Sequence, residues 1–261
     1  MKYSYKQILD SLPVKKNSNS SWWVKLWVRK TSFFFTYVFI NLGFSPNGVS
    51  VLSIFVTLAA CALFMVPAKW AVIAAVILIN FWLVLDCVDG NIARCRKMKT
   101  AYGEFVDDIS GYYTVAFVYL AISVSAYHFG GVLVARGSAW LIVFGAVSSI
   151  SDILARLIHK DHEHFSDKLL SDEARARKNS VESYEAGPKK TFGYVRRRIG
   201  KELGISGLFM PLAISGVIFD AYDLVTILYL ALNCAALSLT TAVYICKADK
   251  YDRKFGNREV R

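Results

Sequence analysis

Apolar residues fall along this chain in long unbroken runs separated by short polar links, with no alternation of period two over any extended stretch. A bilayer core takes about 20 apolar residues to cross as a helix. Runs at about 47–66, 69–93, 101–127, 138–158 and 223–246 meet that requirement, and a shorter one at about 204–219 is read as a span with them. Backbone groups inside lipid must satisfy their own hydrogen bonds, so each run reads as helix. Ser45-Pro46-Asn47 breaks the chain and opens the first run, proline being well placed at a helix start. Ahead of it, Trp22 to Gly43 mixes Trp, Lys, Arg and Phe. Its apolar part, Ser32 to Gly43, is too short to span and predicts an amphipathic helix lying in the interface. The pattern predicts an all-α integral membrane protein with six transmembrane helices and this N-terminal interfacial helix.

Polar composition adds a direction to that pattern. Of the 31 Lys and Arg residues, 29 lie in the N-terminal segment, the 94–99 link, the 156–201 stretch or the tail after 246, leaving Lys69 and Arg136 on the other side. Basic residues stay on the cytoplasmic side, so both termini are expected there. The same bias accounts for the net charge of +11 through anionic lipid headgroups; no nucleic-acid module is present. Hydrophobic residues make up 55% of the chain and the mean hydropathy is +0.38, which excludes an ordinary soluble domain. The first 31 residues lack an early apolar segment and predict no signal peptide. Five scattered cysteines read as reduced thiols. The expected organisation is a lead-in over 1–31, a membrane domain over 32–246 with a polar loop at 159–203, and a basic tail over 247–261. KKNSNSS in the lead-in reads as disordered.

The candidate chemistry is concentrated between Asp86 and Gly111, DCVDGNIARCRKMKTAYGEFVDDISG. An Asp at the centre of a membrane helix costs roughly 2.5–3.5 kcal/mol, so four in this stretch require a reason. Asp86 and Asp89 are one helical turn apart, and Gly90 and Ala93 continue their stripe with residues too small to block a ligand. Gly103, Asp107 and Gly111 form a second stripe on the following helix. Two carboxylates at about 4 Å repel by roughly 4 kcal/mol at an effective dielectric of 20, which calls for a cation between them. Oxygen-only donors suit Mg²⁺ or Mn²⁺. With Arg94 one turn beyond Gly90, available to a phosphate, the set reads as a pyrophosphate site.

The stretch resembles the signature of the CDP-alcohol phosphatidyltransferases, D-x2-D-G-x2-A-R-x8-G-x3-D-x3-D. Asp86, Asp89, Gly90, Ala93, Arg94, Gly103 and Asp107 are in register, and Gly111 stands where the family has its last Asp. The resemblance covers roughly residues 25–246. It implies transfer of a phosphoalcohol, commonly phosphatidyl from CDP-diacylglycerol, to an acceptor hydroxyl with release of CMP. It further implies metal on Asp86, Asp89 and Asp107, a CDP pocket shaped by Gly90, Ala93, Arg94 and Gly103, and a homodimer. S-P-N-x-V-[ST] before the first span also matches, and makes Asn47 a candidate contact to the nucleotide lipid.

The family's last Asp joins the metal site and is its proposed base. Asp108, about 60° around the helix from Gly111, is the nearby candidate for that task; as a fourth carboxylate it would also balance two divalent ions. Arg156, at i+4 from Asp152, is a candidate for the acceptor pocket or a structural ion pair. His159, His162 and His164 read as solvated. Basic residues from Arg175 to Lys201 read as a basic wall beside the motif or as positive-inside bias alone. Two alternatives remain: a catalytically impaired member binding a CDP-lipid or membrane partner, and a transporter using the aspartates as a cation site. The acceptor is unidentified, and a bacterial cell membrane is the expected location.

Overall fold

The computed structural model describes residues 3–13, 19–98, 100–169 and 192–255. Within them every regular element is helical. A short helix α1 (Tyr5–Asp10) is followed by a π-turn (Val24–Val28) that runs directly into α2 (Arg29–Asn41). Then come α3 (Pro46–Phe64), α4 (Lys69–Cys95), α5 (Ala101–Phe129) and α6 (Ala139–Leu169). The chain ends with α7 (Phe192–Leu203), a second π-turn (Ile205–Phe209), α8 (Met210–Ile218) and α9 (Tyr222–Phe255). Six stretches are long and apolar enough to cross a membrane: α3, α4, α5, the first part of α6, the run Arg198–Ile218 and most of α9.

Local chemistry sets the helix ends near the motif. Ser45 accepts the Gly48 N–H at 3.0 Å with Pro46 in the first turn of α3, and Thr100 accepts the Gly103 N–H at 3.0 Å to start α5. Both are side-chain N-caps that satisfy otherwise orphaned helix donors. Between α4 and α5 the chain reverses through Lys97, which takes a left-handed backbone conformation with φ 53°. The turn brings the two halves of the motif side by side at one rim of the bundle.

α3 packs along α4 and α5, α6 packs on α5, and α9 lies along α6. Polar pairs tie the inner helices together. Ser53 and Ser110 hydroxyls meet at 2.6 Å, Thr57 and Thr114 at 3.2 Å, and the Trp82 indole N–H donates to Ser110 Oγ at 3.1 Å. Apolar packing drives little association inside lipid, so such bonds and close backbone approach hold helices together. On the other side of the bundle Tyr119 stacks on Tyr229 with Phe209 edge-on to both. α2 is bound to α4 through Asn91, whose amide donates to Thr36 Oγ1 at 3.0 Å and Ser32 Oγ at 3.3 Å.

One expectation changes. The loop expected over 159–203 is in part helix, since α6 continues to Leu169 and α7 begins at Phe192. Nothing between Ile158 and Leu169 breaks a helix, as there is neither Gly nor Pro, so leaving the apolar run does not end it. His159 and His164 are exposed, as expected, while His162 is half-buried against α9. The Tyr244 hydroxyl and His159 Nδ1 lie 2.7 Å apart, and the His162 ring lies 4.5 Å from the Tyr244 ring. The KKNSNSS segment falls largely outside the described residues, as do Arg175, Arg177, Lys178, Lys189 and Lys190 of the basic wall. All five cysteines are free thiols.

Candidate active site

A cleft of ≈ 200 Å³ opens where α3, α4 and α5 meet at the motif rim. α4 contributes Asp89, Gly90 and Ala93 to its lining, and α5 contributes Gly103, Glu104 and Asp107. The periodicity of the two stripes therefore becomes one surface, with small residues leaving space between carboxylates. α3 adds Pro46, Asn47 and Ser50, and the link adds Met98 and Thr100. Asn47 lies across the floor from α5: a Cβ on Gly103 would fall 2.9 Å from Asn47 Oδ1. That close approach is a physical reason for glycine at 103.

Asp89 is buried, while Asp107 and Asp86 are exposed. Asp86 is not in the cleft wall, yet its charge and that of Asp107 both act on Asp89. Asp89 accepts the Ser50 hydroxyl at 2.6 Å. Among the described residues no Lys or Arg forms an ion pair with it. A carboxylate so placed, with two more negative charges near it, calls for a cation from outside the chain. Among the described residues no three His, Cys, Asp or Glu side chains converge tightly enough to hold an ion as they stand. The donor set nevertheless fits a hard divalent cation in kind: oxygens only, with no nearby His competing, and with access through the cleft.

Other expected residues lie elsewhere. Asp108 is outside the cleft lining, and its carboxylate accepts from Lys160 Nζ of α6 at 2.8 Å, with both side chains 44% exposed. Lys160 also lies over the Tyr112 ring at 5.1 Å. Arg94 leaves the lining to Ala93 and turns toward α2, where its guanidinium donates to Asn91 Oδ1. There its charge meets that of Arg29, and the Nε of each is buried without an acceptor. Arg156 pairs with Asp152 at 3.1 Å, which also accepts from Tyr119 at 3.4 Å. At Gly111 an added Cβ would meet nothing within 4 Å, so no steric contact requires glycine there.

Ser50, Met98, Thr100 and Glu104 line the cleft without a role assigned to them from sequence. Ser50 carried a signal: it is the last position of S-P-N-x-V-[ST], on the face of α3 that holds Pro46 and Asn47. Glu104 reads in sequence as two helical turns from Gly111, too far to replace its carboxylate, yet it lines the cleft.

A search of curated proteins returned no match. The family profile described as CDP-alcohol phosphatidyltransferase matches residues 44–178, just over half of the 261-residue chain. The match takes in the whole motif, both helices that carry it and all three helices of the cleft, and so the chain belongs to the CDP-alcohol phosphatidyltransferase family.

Proposed function

We propose that this protein transfers a phosphatidyl group from CDP-diacylglycerol to an acceptor hydroxyl and releases CMP, with Mg²⁺ or Mn²⁺ bound at the aspartates. Its family is one of phosphotransferases that use a CDP-alcohol and an alcohol acceptor and generally depend on a divalent metal. The observation that carries the reading is the cleft, in which Asp89 and Asp107 face small residues and Asn47.

Asp86, Asp89 and Asp107 are the residues proposed to hold the metal. When bound it would polarise the pyrophosphate and neutralise charge on the departing CMP. Gly90, Ala93 and Gly103 leave space for the pyrophosphate, and Asn47 is placed to hydrogen-bond the nucleotide part. Arg94 and Arg156 lie outside the cleft lining, bonded to Asn91 and Asp152, and enter the reading through charge alone. Lys160 occupies Asp108 Oδ2, so Asp108 would take the acceptor's proton on its other carboxylate oxygen, from a hydroxyl that reaches it outside the cleft lining. Glu104, already in the cleft, is the competing carboxylate. The motif rim is assigned to the cytoplasmic face, and the helix through α2 to the interface.

The test is CMP release by purified protein with CDP-diacylglycerol, Mg²⁺ or Mn²⁺ and a panel of acceptors. Acceptor-dependent release that Asp107→Asn abolishes supports the reading. Loss of turnover by about 10²-fold or more in Asp108→Asn, as for removal of a general base, supports the assignment of Asp108. The same loss in Glu104→Gln alone passes that role to Glu104. The open space at Gly111 favours a second reading, a member that binds the CDP-lipid without turning it over. Silence in the natural protein with activity in Gly111→Asp would establish it.

A further inference from the structure

Ser50 lies one turn inside α3, only 3% exposed, and its hydroxyl has a single proton to give. Two acceptors are in reach: Asp89 Oδ2 at 2.6 Å and the Pro46 carbonyl at 3.3 Å. The carboxylate is nearer and charged, and charge-assisted bonds of this length are the strong ones. The Ser50 bond is the one that reaches Asp89 from another helix. Beneath it, the Ser53–Ser110 and Thr57–Thr114 pairs lock α3 to α5. Ser50 thus stands at the top of a column of hydroxyls that fixes α3, and it passes that position to the most buried carboxylate of the cleft.

We propose that Ser50 is a positioning residue: its hydroxyl holds the Asp89 carboxylate in the orientation that receives the divalent cation. This rests on the metal-dependent reading above. A metal ligand's own hydrogen-bond partners orient it and raise its affinity, and their loss commonly weakens binding 10–100-fold. A purely structural Ser50 would lower thermal stability and leave cation affinity alone.

The test is titration of purified, detergent-solubilised protein with Mn²⁺, read as the electron paramagnetic resonance of the free ion. The variants are Ser50→Ala, Ser50→Thr, Ser53→Ala and Asp89→Asn, each with a thermal unfolding curve. Ser50→Ala is expected to bind Mn²⁺ about tenfold more weakly. Ser50→Thr, which keeps the hydroxyl, should stay within about threefold of the natural protein. Ser53→Ala removes a rung of the column without touching Asp89, so stability should fall while affinity holds. Should Ser50→Ala fail to fold, Ser50→Cys supplies a near-isosteric, weaker donor and should also bind more weakly. Unchanged affinity in a folded Ser50→Ala or Ser50→Cys overturns the proposal and leaves the metal reading standing. Mn²⁺ binding absent from the natural protein, or unaltered by Asp89→Asn, overturns the metal reading itself and this proposal with it.

Discussion

At the scale of single residues, the cleft depends on where side chains are missing as much as on where they project. Gly103 is the clearest case, because Asn47 Oδ1 occupies the region a Cβ would enter, 2.9 Å away. The obstructing atom is the end of a rotatable side chain, so Gly103→Ala should fold with little loss of stability. It should displace Asn47 and raise KM for the CDP-alcohol by about tenfold, the equivalent of one lost hydrogen bond, with kcat changing less. Steady-state kinetics beside a melting curve checks both halves; a collapsed melting temperature with unchanged KM in the surviving protein would count against the role of Asn47. The sequence made the motif residues legible because helical spacing alone puts Asp89, Gly90 and Ala93 on one face. It could not reveal that Asp108 meets Lys160, 52 residues away, or that Ser50 donates to Asp89 across 39 residues. Those contacts depend on the rotation of one helix against another. Arg94 illustrates the same limit: its place in the motif is fixed, but the neighbouring α2 decides which way its guanidinium turns.

Among the elements, the helices themselves were readable from apolar length, whereas their points of closest approach were not. α5 and α6 come together at Gly145, where a Cβ would lie 2.5 Å from Ser123 Cβ and 2.7 Å from the Tyr119 carbonyl oxygen. Backbone cannot yield as a side chain can. Gly145→Ala is therefore expected to destabilise by about 1–3 kcal/mol through overpacking, visible as a lower unfolding midpoint in detergent. A second device lies at the opposite rim. Buried Asp223, at the start of α9, accepts the N–H groups of Val132, Leu133 and Val134 at 2.6–3.0 Å. It thereby holds the link between α5 and α6. Asp223→Ala strands three backbone donors and should cost about 2 kcal/mol or more. Lys69 and Asp220 form an ion pair nearby at 2.7 Å, but both side chains are more than half exposed. Lys69→Ala should cost under about 1 kcal/mol. Equal losses in the two variants would contradict this ranking.

For the whole molecule, the proposed orientation rests on charge rather than on contacts. The basic residues concentrate on the rim that carries the motif, and the rim around Val132 and Leu133 is almost free of them. Moving that cationic rim across a membrane would be opposed by the same bias that sorts basic loops to the cytoplasm. The proposed chemistry requires the same side, because a water-soluble CMP leaves through the cleft. Two single-cysteine reporters in a background lacking the exposed Cys246 test this directly. Arg253 is 78% exposed on its side chain at the motif rim, and Leu133 is 68% exposed at the other. A membrane-impermeant maleimide should label Arg253→Cys only in inside-out vesicles and Leu133→Cys only in right-side-out ones. The reverse pattern would put the aspartates outside the cell, away from cytoplasmic CDP-lipid, and the transfer reaction would have to be abandoned along with the orientation. Labelling of both reporters from both sides would instead point to a mixed population, in which the charge bias is too weak to decide the insertion.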